Sequence, residues 1–409
     1  MRAARAARTP GIVAHRVPPL LLAPVLPHTP LQMETHDTPA PRDAHAETPE
    51  PPQSSALRVL LVTSRLLDSA GGRACTDLAL GLRREGFEPV VCCYAGWGPL
   101  AAELAEAGVE IFPLRKRDGA DPLFALALSR ELAARRIDVI HSFNARRAYV
   151  LSVAAGFLAR TRVGVATFRE APPSGSPLLT TAGRLCGEIV GALVATSEEV
   201  HEALLRARWV PPRKTQVVPD GVNLQRFETR ARRDPARAHW RLGERELVVG
   251  AVIPPPREHE MPLLEAVQQE LARRVAGVRF VVSGRHGGNQ RWQALGPFTD
   301  SPAFYAAIDA LLIPGARRFV PLTLLEALAA GVPVAAGRPE GETELSTRGP
   351  WAFASLSQAN PVALARNLEK LLREPEEARL LVREGKNCVR DDYSLAAHVH
   401  RIANLYRAA

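Results

Sequence analysis

The sequence predicts an α/β fold of two doubly wound parallel sheets, preceded by a segment that cannot build a core. Three observations carry this expectation. From Arg58 onward, short β-branched or apolar runs alternate with stretches of helical period. The strand runs are apolar throughout instead of alternating with polar residues, as in sheets covered by helices on both faces. The pattern stops in the charged stretch 228–245 (ETRARRDPARAHWRLGER) and then starts again.

In order, the first half reads as strand RVLLVT (58–63), a helix near 74–85, strand PVVCC (89–93), a helix near 99–107 and strand VEIF (109–112). A helix near 122–135 follows, then IDVIHS (137–142), a helix near 146–159, VGVAT (163–167) and ALVAT (192–196), with Gln216–Pro219 closing this half. The second half reads as LVVGAV (247–252), helix 260–274, VRFVVSG (278–284), helix 302–308, ALLIPG (310–315), helix 322–330 and VPVAA (332–336). Helices near 361–373, 376–389 and 394–408 finish the chain. Two such halves leave a cleft at the carboxyl ends of their strands, where ligands bind.

Residues 1–56 hold 11 of the 35 prolines and no Phe, Tyr or Trp, so they read as a disordered leader. Prolines 18, 19 and 24 break the leader's apolar patch, which suits neither a signal peptide nor a transit helix, and Met33 offers a second start. Five cysteines (Cys75, Cys92, Cys93, Cys186, Cys388) lack C-x-x-C spacing and histidine neighbours; they read as small core residues of a reducing compartment. No apolar run is long enough to span a bilayer. The net charge of +9 is carried by 48 Arg against 4 Lys, and the leader's five basic and five acidic residues cancel, so the excess belongs to the folded part. Such a surface suits phosphorylated ligands and allows peripheral contact with an anionic membrane. Without interleaved aromatics or a recognisable fold signature it does not suit nucleic acid.

Several segments carry a resemblance. PDGVNLQRF (219–227) is similar to the P-N-G-V-D-x-x-R-F hinge of the GT-B glycosyltransferases of family 4, and PLTLLEALAAGVPVAA (321–336) resembles the second half of that family's E-x7-E motif. SAGGRACTDLALGLRREGFEPVV (69–91), IDVIHSFNARRAYVLSVAAG (137–156) and VATSEEVHEALL (194–205) match in order and spacing, so the resemblance spans roughly the last 350 residues. It implies a GT-B fold with an acceptor-side domain at 57–227, a linker at 228–245, a donor-binding domain at 246–390 and a last helix, 391–409, that crosses back to the first domain. It also implies retaining transfer of a sugar from a nucleotide diphosphate sugar to a glycan or lipid-linked acceptor, with no metal and no resident cofactor. The expected setting is the cytoplasm or the inner face of the membrane.

The resemblance assigns roles residue by residue. Glu326 would accept hydrogen bonds from the ribose, an acceptor-only carboxylate facing vicinal hydroxyls. The amides of Leu322 and Thr323 would meet phosphate at a helix N-terminus. Gly71 and Gly72, read as a loop after the first strand, would let backbone amides approach the diphosphate or sugar. His141, read at the end of its strand, would face the cleft near the transferred sugar. Arg169 and Glu170 resemble a basic–acidic pair seen in part of the family, although a surface ion pair explains them as well. Asp391 and Asp392 are explained by capping and solvation, without a metal.

The sequence departs from the family where the donor's charge is met. The first glutamate of E-x7-E falls at Arg318, a group that only donates and carries the opposite charge. The family's G-R-L-x-x-x-K-G becomes Gly250 to Glu260, with Ile253 or Pro254 near the arginine position and Glu258 near the lysine. Two expectations follow. Either Arg257, Arg317 or Arg318 has taken over the phosphates in an active enzyme, or the fold survives as a degenerate scaffold or binding subunit of a glycan assembly system.

Overall fold

The computed structural model describes residues 56–67, 70–117, 121–143, 146–169, 177–227, 233–253, 260–284, 292–296, 301–315, 321–338 and 349–408. The leader expected at 1–56 lies almost wholly outside the described residues.

The first half contains β1 (Arg58–Thr63), α1 (Ala70–Arg84), β2 (Glu88–Cys93), α2 (Leu100–Glu106), β3 (Glu110–Pro113), α3 (Pro122–Ala134) and β4 (Val139–Phe143). It continues with α4 (Arg146–Ala159), β5 (Val163–Phe168), α5 (Pro177–Ile189), β6 (Ala192–Ala195), α6 (Glu198–Arg206) and β7 (Thr215–Val217). All pairings are parallel, in the order β3-β2-β1-β4-β5-β6-β7. The order reverses between β1 and β4, which places the ligand-binding crevice at the carboxyl ends of those strands. Leu60 and Val62 pack into one core layer and Val59 and Leu61 into the other, so the strand reads as continuously apolar.

The second half contains α7 (Arg233–His239), β8 (Leu247–Val252), α8 (Met261–Ala272), β9 (Val278–Ser283), β10 (Gln293–Ala294), α9 (Ser301–Ala307) and β11 (Ala310–Ile313). Then come α10 (Leu322–Ala330), β12 (Val334–Arg338), β13 (Ser355–Gln358), α11 (Pro361–Arg373), α12 (Pro375–Asp392) and α13 (Leu395–Ala408). Its parallel sheet runs β10-β9-β8-β11-β12-β13, the same winding as the first.

The expected linker is corrected in part. Within 228–245, α7 packs on the second domain, with Ala236 and Leu242 in its core. Arg237 is buried and donates to the carbonyls of Gly243, Glu244, Glu246 and Ala307 and to Asp309 Oδ2 at 2.8 Å. A charged stretch reads as solvated unless its guanidinium finds that many acceptors.

The last helix does cross back. Val399, Ile402, Ala403, Leu405 and Tyr406 of α13 share a core with β1, α1 and β2. Two chain segments therefore join the halves, and they are bonded to each other. Val222 N–H donates to Tyr393 O, Leu395 N–H donates to Val222 O, each at 2.8 Å, and Val222 bridges Ser394 in parallel. His398 Nδ1 lies 2.7 Å from Pro219 O, and a Cβ on Gly221 would lie 2.7 Å from His398 Cβ, so only glycine fits there. No helix among the described residues is long and apolar enough to cross a membrane.

Candidate functional site

In the second domain the strand order reverses between β8 and β11, so the expected ligand crevice lies at their carboxyl ends, beside the start of α10. Pro321 occupies the N-cap position of α10 with extended backbone and no side-chain cap. A proline there ends the preceding loop without supplying a side-chain acceptor, so the Leu322 and Thr323 amides open the helix uncapped by any side chain among the described residues.

Glu326 stands one turn further in and is only 6% exposed. Its Oε1 accepts from Ser301 Oγ at 3.4 Å and its Oε2 from Tyr305 OH at 3.2 Å, both on α9. The Tyr305 hydroxyl also lies 3.1 Å from Thr323 O, so it ties the carboxylate to the first turn of its own helix. Burial, followed by the charge of Glu326, pushes the Tyr305 phenol well above its ordinary range, which keeps it a donor. The Tyr305 ring lines a cavity of about 390 Å³ with Arg226, Arg233 and Gly331, at the opposite end of α10 from the crevice.

Around β8, Ile253 is fully buried in the core and its N–H donates to Ser283 O, so this expected arginine position holds no cation. Arg257, Arg317 and Arg318, with Pro254 and Glu258, lie outside the described residues.

In the first domain two expectations are corrected. The helix α1 begins at Ala70, so Gly71 and Gly72 form its first turn and are not a loop before it. Gly72 is required by packing: a Cβ there would lie 2.0 Å from Leu67 O. The start of α1 is thus pressed onto the turn after β1.

His141 sits in mid-strand, wholly buried, and faces no cleft. Its Nδ1 lies 2.5 Å from the Tyr406 hydroxyl of α13 and its Nε2 2.7 Å from Thr167 Oγ1, with the ring stacked on Phe143 at 4.5 Å. A neutral imidazole offers one donor and one acceptor, and two hydroxyls satisfy both. The ring thus fastens the crossing helix to the sheet, with neither nitrogen presented to a substrate. Burial, then the charges of His398 and Arg169, lowers its pKa from 6.5 to about 3. The unfolded chain therefore binds a proton here that the native state refuses. This contribution to stability is intact above pH 6.5 and is lost progressively as pH falls towards 3, at about 1.4 kcal/mol per unit. His398, also lowered chiefly by burial, acts in the same direction. We expect His141→Gln to reduce the loss of unfolding free energy between pH 6.5 and 5 by about 2 kcal/mol, measured by urea denaturation at both pH values. An unchanged difference would remove His141 from the acid response.

Glu170 lies outside the described residues, so the expected pairing of Arg169 with it is not described. Arg169 holds Asp220 of the hinge in a two-pronged pair, Nε–Oδ2 2.9 Å and Nη2–Oδ1 2.6 Å, largely shielded from solvent. Asp391 and Asp392 end α12 and are exposed, while Ser394 Oγ accepts from Ala397 N to cap α13. No group of three metal-ligating side chains occurs among the described residues. All five cysteines are free thiols, four of them buried, and burial raises the Cys93 and Cys186 thiols to about 11. The four buried ones are inert small groups of the interior, as the sequence suggested, while Cys388 is half-buried.

Sequence reasoning missed Ser301 and Tyr305. The one available signal was their i, i+4 spacing on a helix next to LLEA, which places both on one face. It also missed the Arg169–Asp220 pair.

Two like-wound sheets facing a crevice, with a last helix returning to the first, define a GT-B fold. Residues 71–226 match the model of Glycosyltransferase Family 4 and residues 245–374 that of Glycosyl transferases group 1. The chain belongs to this family of glycosyltransferases. It is 28% identical over 302 residues to a D-inositol 3-phosphate glycosyltransferase of Salinispora tropica, a match covering 63% of this chain and 61% of that relative's length. Among solved structures it resembles Anabaena Alr3699/HepE in complex with UDP and glucose, with a TM-score of 0.70 at 17% identity, covering 86% of this chain and all of that one. The sucrose-phosphate synthase of Thermosynechococcus elongatus gives a TM-score of 0.64 at 18% identity, covering 86% of this chain and 98% of that one.

Proposed function

We propose that this protein transfers a sugar from a nucleotide diphosphate sugar to a glycan or glycolipid acceptor, with retention at the anomeric carbon and without a metal ion. One observation carries the reading. Glu326, an acceptor-only group, is held by Ser301 and Tyr305 one turn inside a helix whose first amides have no side-chain cap among the described residues. Ribose hydroxyls at the carboxylate and phosphate oxygens at the amides form one continuous site for a nucleotide diphosphate. The Anabaena protein of the same fold binds UDP and glucose, which supports the ligand class.

In this reading positive charge develops at the anomeric carbon as the bond to the diphosphate lengthens. The leaving phosphate gains charge, met by the amides of Leu322 and Thr323 and by an arginine from 257, 317 or 318. Arg318 has the strongest claim, because it replaces the carboxylate that the family's motif places beside the sugar. We expect Arg318→Ala to lower turnover at least about tenfold while leaving the denaturation midpoint unchanged. Unchanged turnover would remove Arg318 from the mechanism. The scaffold reading is favoured by the same departures, Arg318 for a carboxylate and Ile253 for a cation. Donor binding without transfer or hydrolysis, together with a stable complex with an active homologue, would select it.

A further inference from the structure

We propose that the cavity at the far end of α10 from the crevice is a second ligand site, built for the monophosphate ester of a small sugar. The cavity measures about 390 Å³, a size that suits a small ligand, and its walls come from the hinge, α7, α9 and the end of α10. Two guanidiniums line it. Arg226 is half-buried on a single 3-10 turn, Leu224–Arg226, and its side chain makes no hydrogen bond or ion pair among the described residues. A partly buried guanidinium without an acceptor is unfavourable, and a bound anion supplies the acceptor. Arg233 donates through Nη1 to Ala306 O at 3.2 Å and through Nη2 to Asp309 Oδ1 at 2.5 Å. Those bonds fix it at the cavity and leave its Nε without an acceptor among the described residues.

Asp309 does not cancel this charge, because it also takes Arg237 Nη2 and Val248 N. Residues 228–232 and 297–300, which adjoin the cavity in sequence and lie outside the described residues, hold two acids and two arginines, so the lining guanidiniums set the sign. The remaining lining suits an ester better than the bare ion. Phe227, Ile308 and Val332 present apolar surface to a carbon skeleton, and α10 ends here, where the last carbonyls of a helix accept from hydroxyls. The position gives the site a use. Tyr305 lines the cavity while its hydroxyl holds Glu326 Oε2 at 3.2 Å and Thr323 O at 3.1 Å, and Ser301 of the same helix holds the other carboxylate oxygen. A ligand bridging Arg226 to α9 would steady Glu326 from behind. That consequence rests on the proposed donor role of Glu326, whereas the binding does not.

The test is titration calorimetry of the full chain with mannose-6-phosphate, inorganic phosphate and mannose, followed by hydrogen exchange of the bound state. We expect mannose-6-phosphate to bind, inorganic phosphate to bind at least about tenfold more weakly, and mannose not to bind. Arg226→Ser should weaken mannose-6-phosphate at least about tenfold with the denaturation midpoint unchanged, and Arg226→Lys should recover part of the loss. Glu326→Ala should bind it like the native chain. The bound ester should slow exchange in both α9 and α10, and Tyr305→Phe should confine that protection to α9. No binding, native binding by Arg226→Ser, or loss of binding in Glu326→Ala would overturn the site, the last by placing the phosphate at the donor crevice. Equal affinity for inorganic phosphate would overturn the ester, and protection confined to α9 in the native chain would overturn the link to Glu326. None of these measurements uses a nucleotide sugar, so a failure here is distinct from a failure of the donor reading.

Discussion

Arg237→Ala should cost about 3–5 kcal/mol of stability, read as a lower midpoint in urea at unchanged slope. The side chain is 1% exposed and satisfies four carbonyl oxygens as well as Asp309. Truncation strands the carbonyls of Gly243, Glu244, Glu246 and Ala307 in a space that water fills only in part, and unmade buried hydrogen bonds are costly. Asp309 is not left alone, because Arg233 Nη2 at 2.5 Å and Val248 N at 2.7 Å still donate to it. The loss should therefore come from the carbonyls more than from the carboxylate. Arg237→Lys separates these contributions: an ammonium keeps the charge but lacks the planar fork, so most of the destabilisation should remain. A midpoint shift below about 1 kcal/mol in both variants would show that the loop carbonyls are readily resolvated.

Glu326→Ala should weaken binding of the nucleotide sugar by about 10²–10³, because two hydrogen bonds to a charged acceptor are lost from a site shielded from water. Tyr305→Phe should weaken it by no more than about tenfold, since it removes one donor that orients the carboxylate and leaves the acceptor in place. Titration calorimetry with the free nucleotide diphosphate measures both. Equal losses in the two variants would mean that Tyr305 meets the ligand itself. No loss in either would move the ribose elsewhere.

The strands were legible for a physical reason: covered on both faces, they read as uninterrupted apolar runs, and the alternation with helices was kept in both halves. The helix α5 was hidden. Its Gly183 and Gly187 lower helical propensity, yet they are there because a Cβ at Gly187 would lie 1.8 Å from Trp209 O. Strand β13 (SLSQ) is half-buried and polar at an edge, so it carried no apolar signal. The segment around α7 looked like a tether because the acceptors of Arg237 are mostly backbone carbonyls, which no residue pattern displays. His141 was misplaced for a similar reason. Its partner Tyr406 is 265 residues away, and only the fold shows that a histidine read at a strand end is a buried fastening. At the proposed donor site, Glu326 and the start of α10 were legible through the motif, whereas Tyr305 and Ser301 read as ordinary helix residues.

Glu326 and α10 are proposed to hold a nucleotide sugar despite the altered charges around them. Thermal-shift measurement of the native chain and the Glu326→Ala variant against UDP-, GDP-, ADP- and CMP-sugars tests this most directly. One base class should raise the native midpoint, by an amount that grows with the logarithm of ligand concentration over Kd, and leave that of the variant unmoved. No shift with any nucleotide sugar, or an equal shift in both proteins, would contradict the proposal.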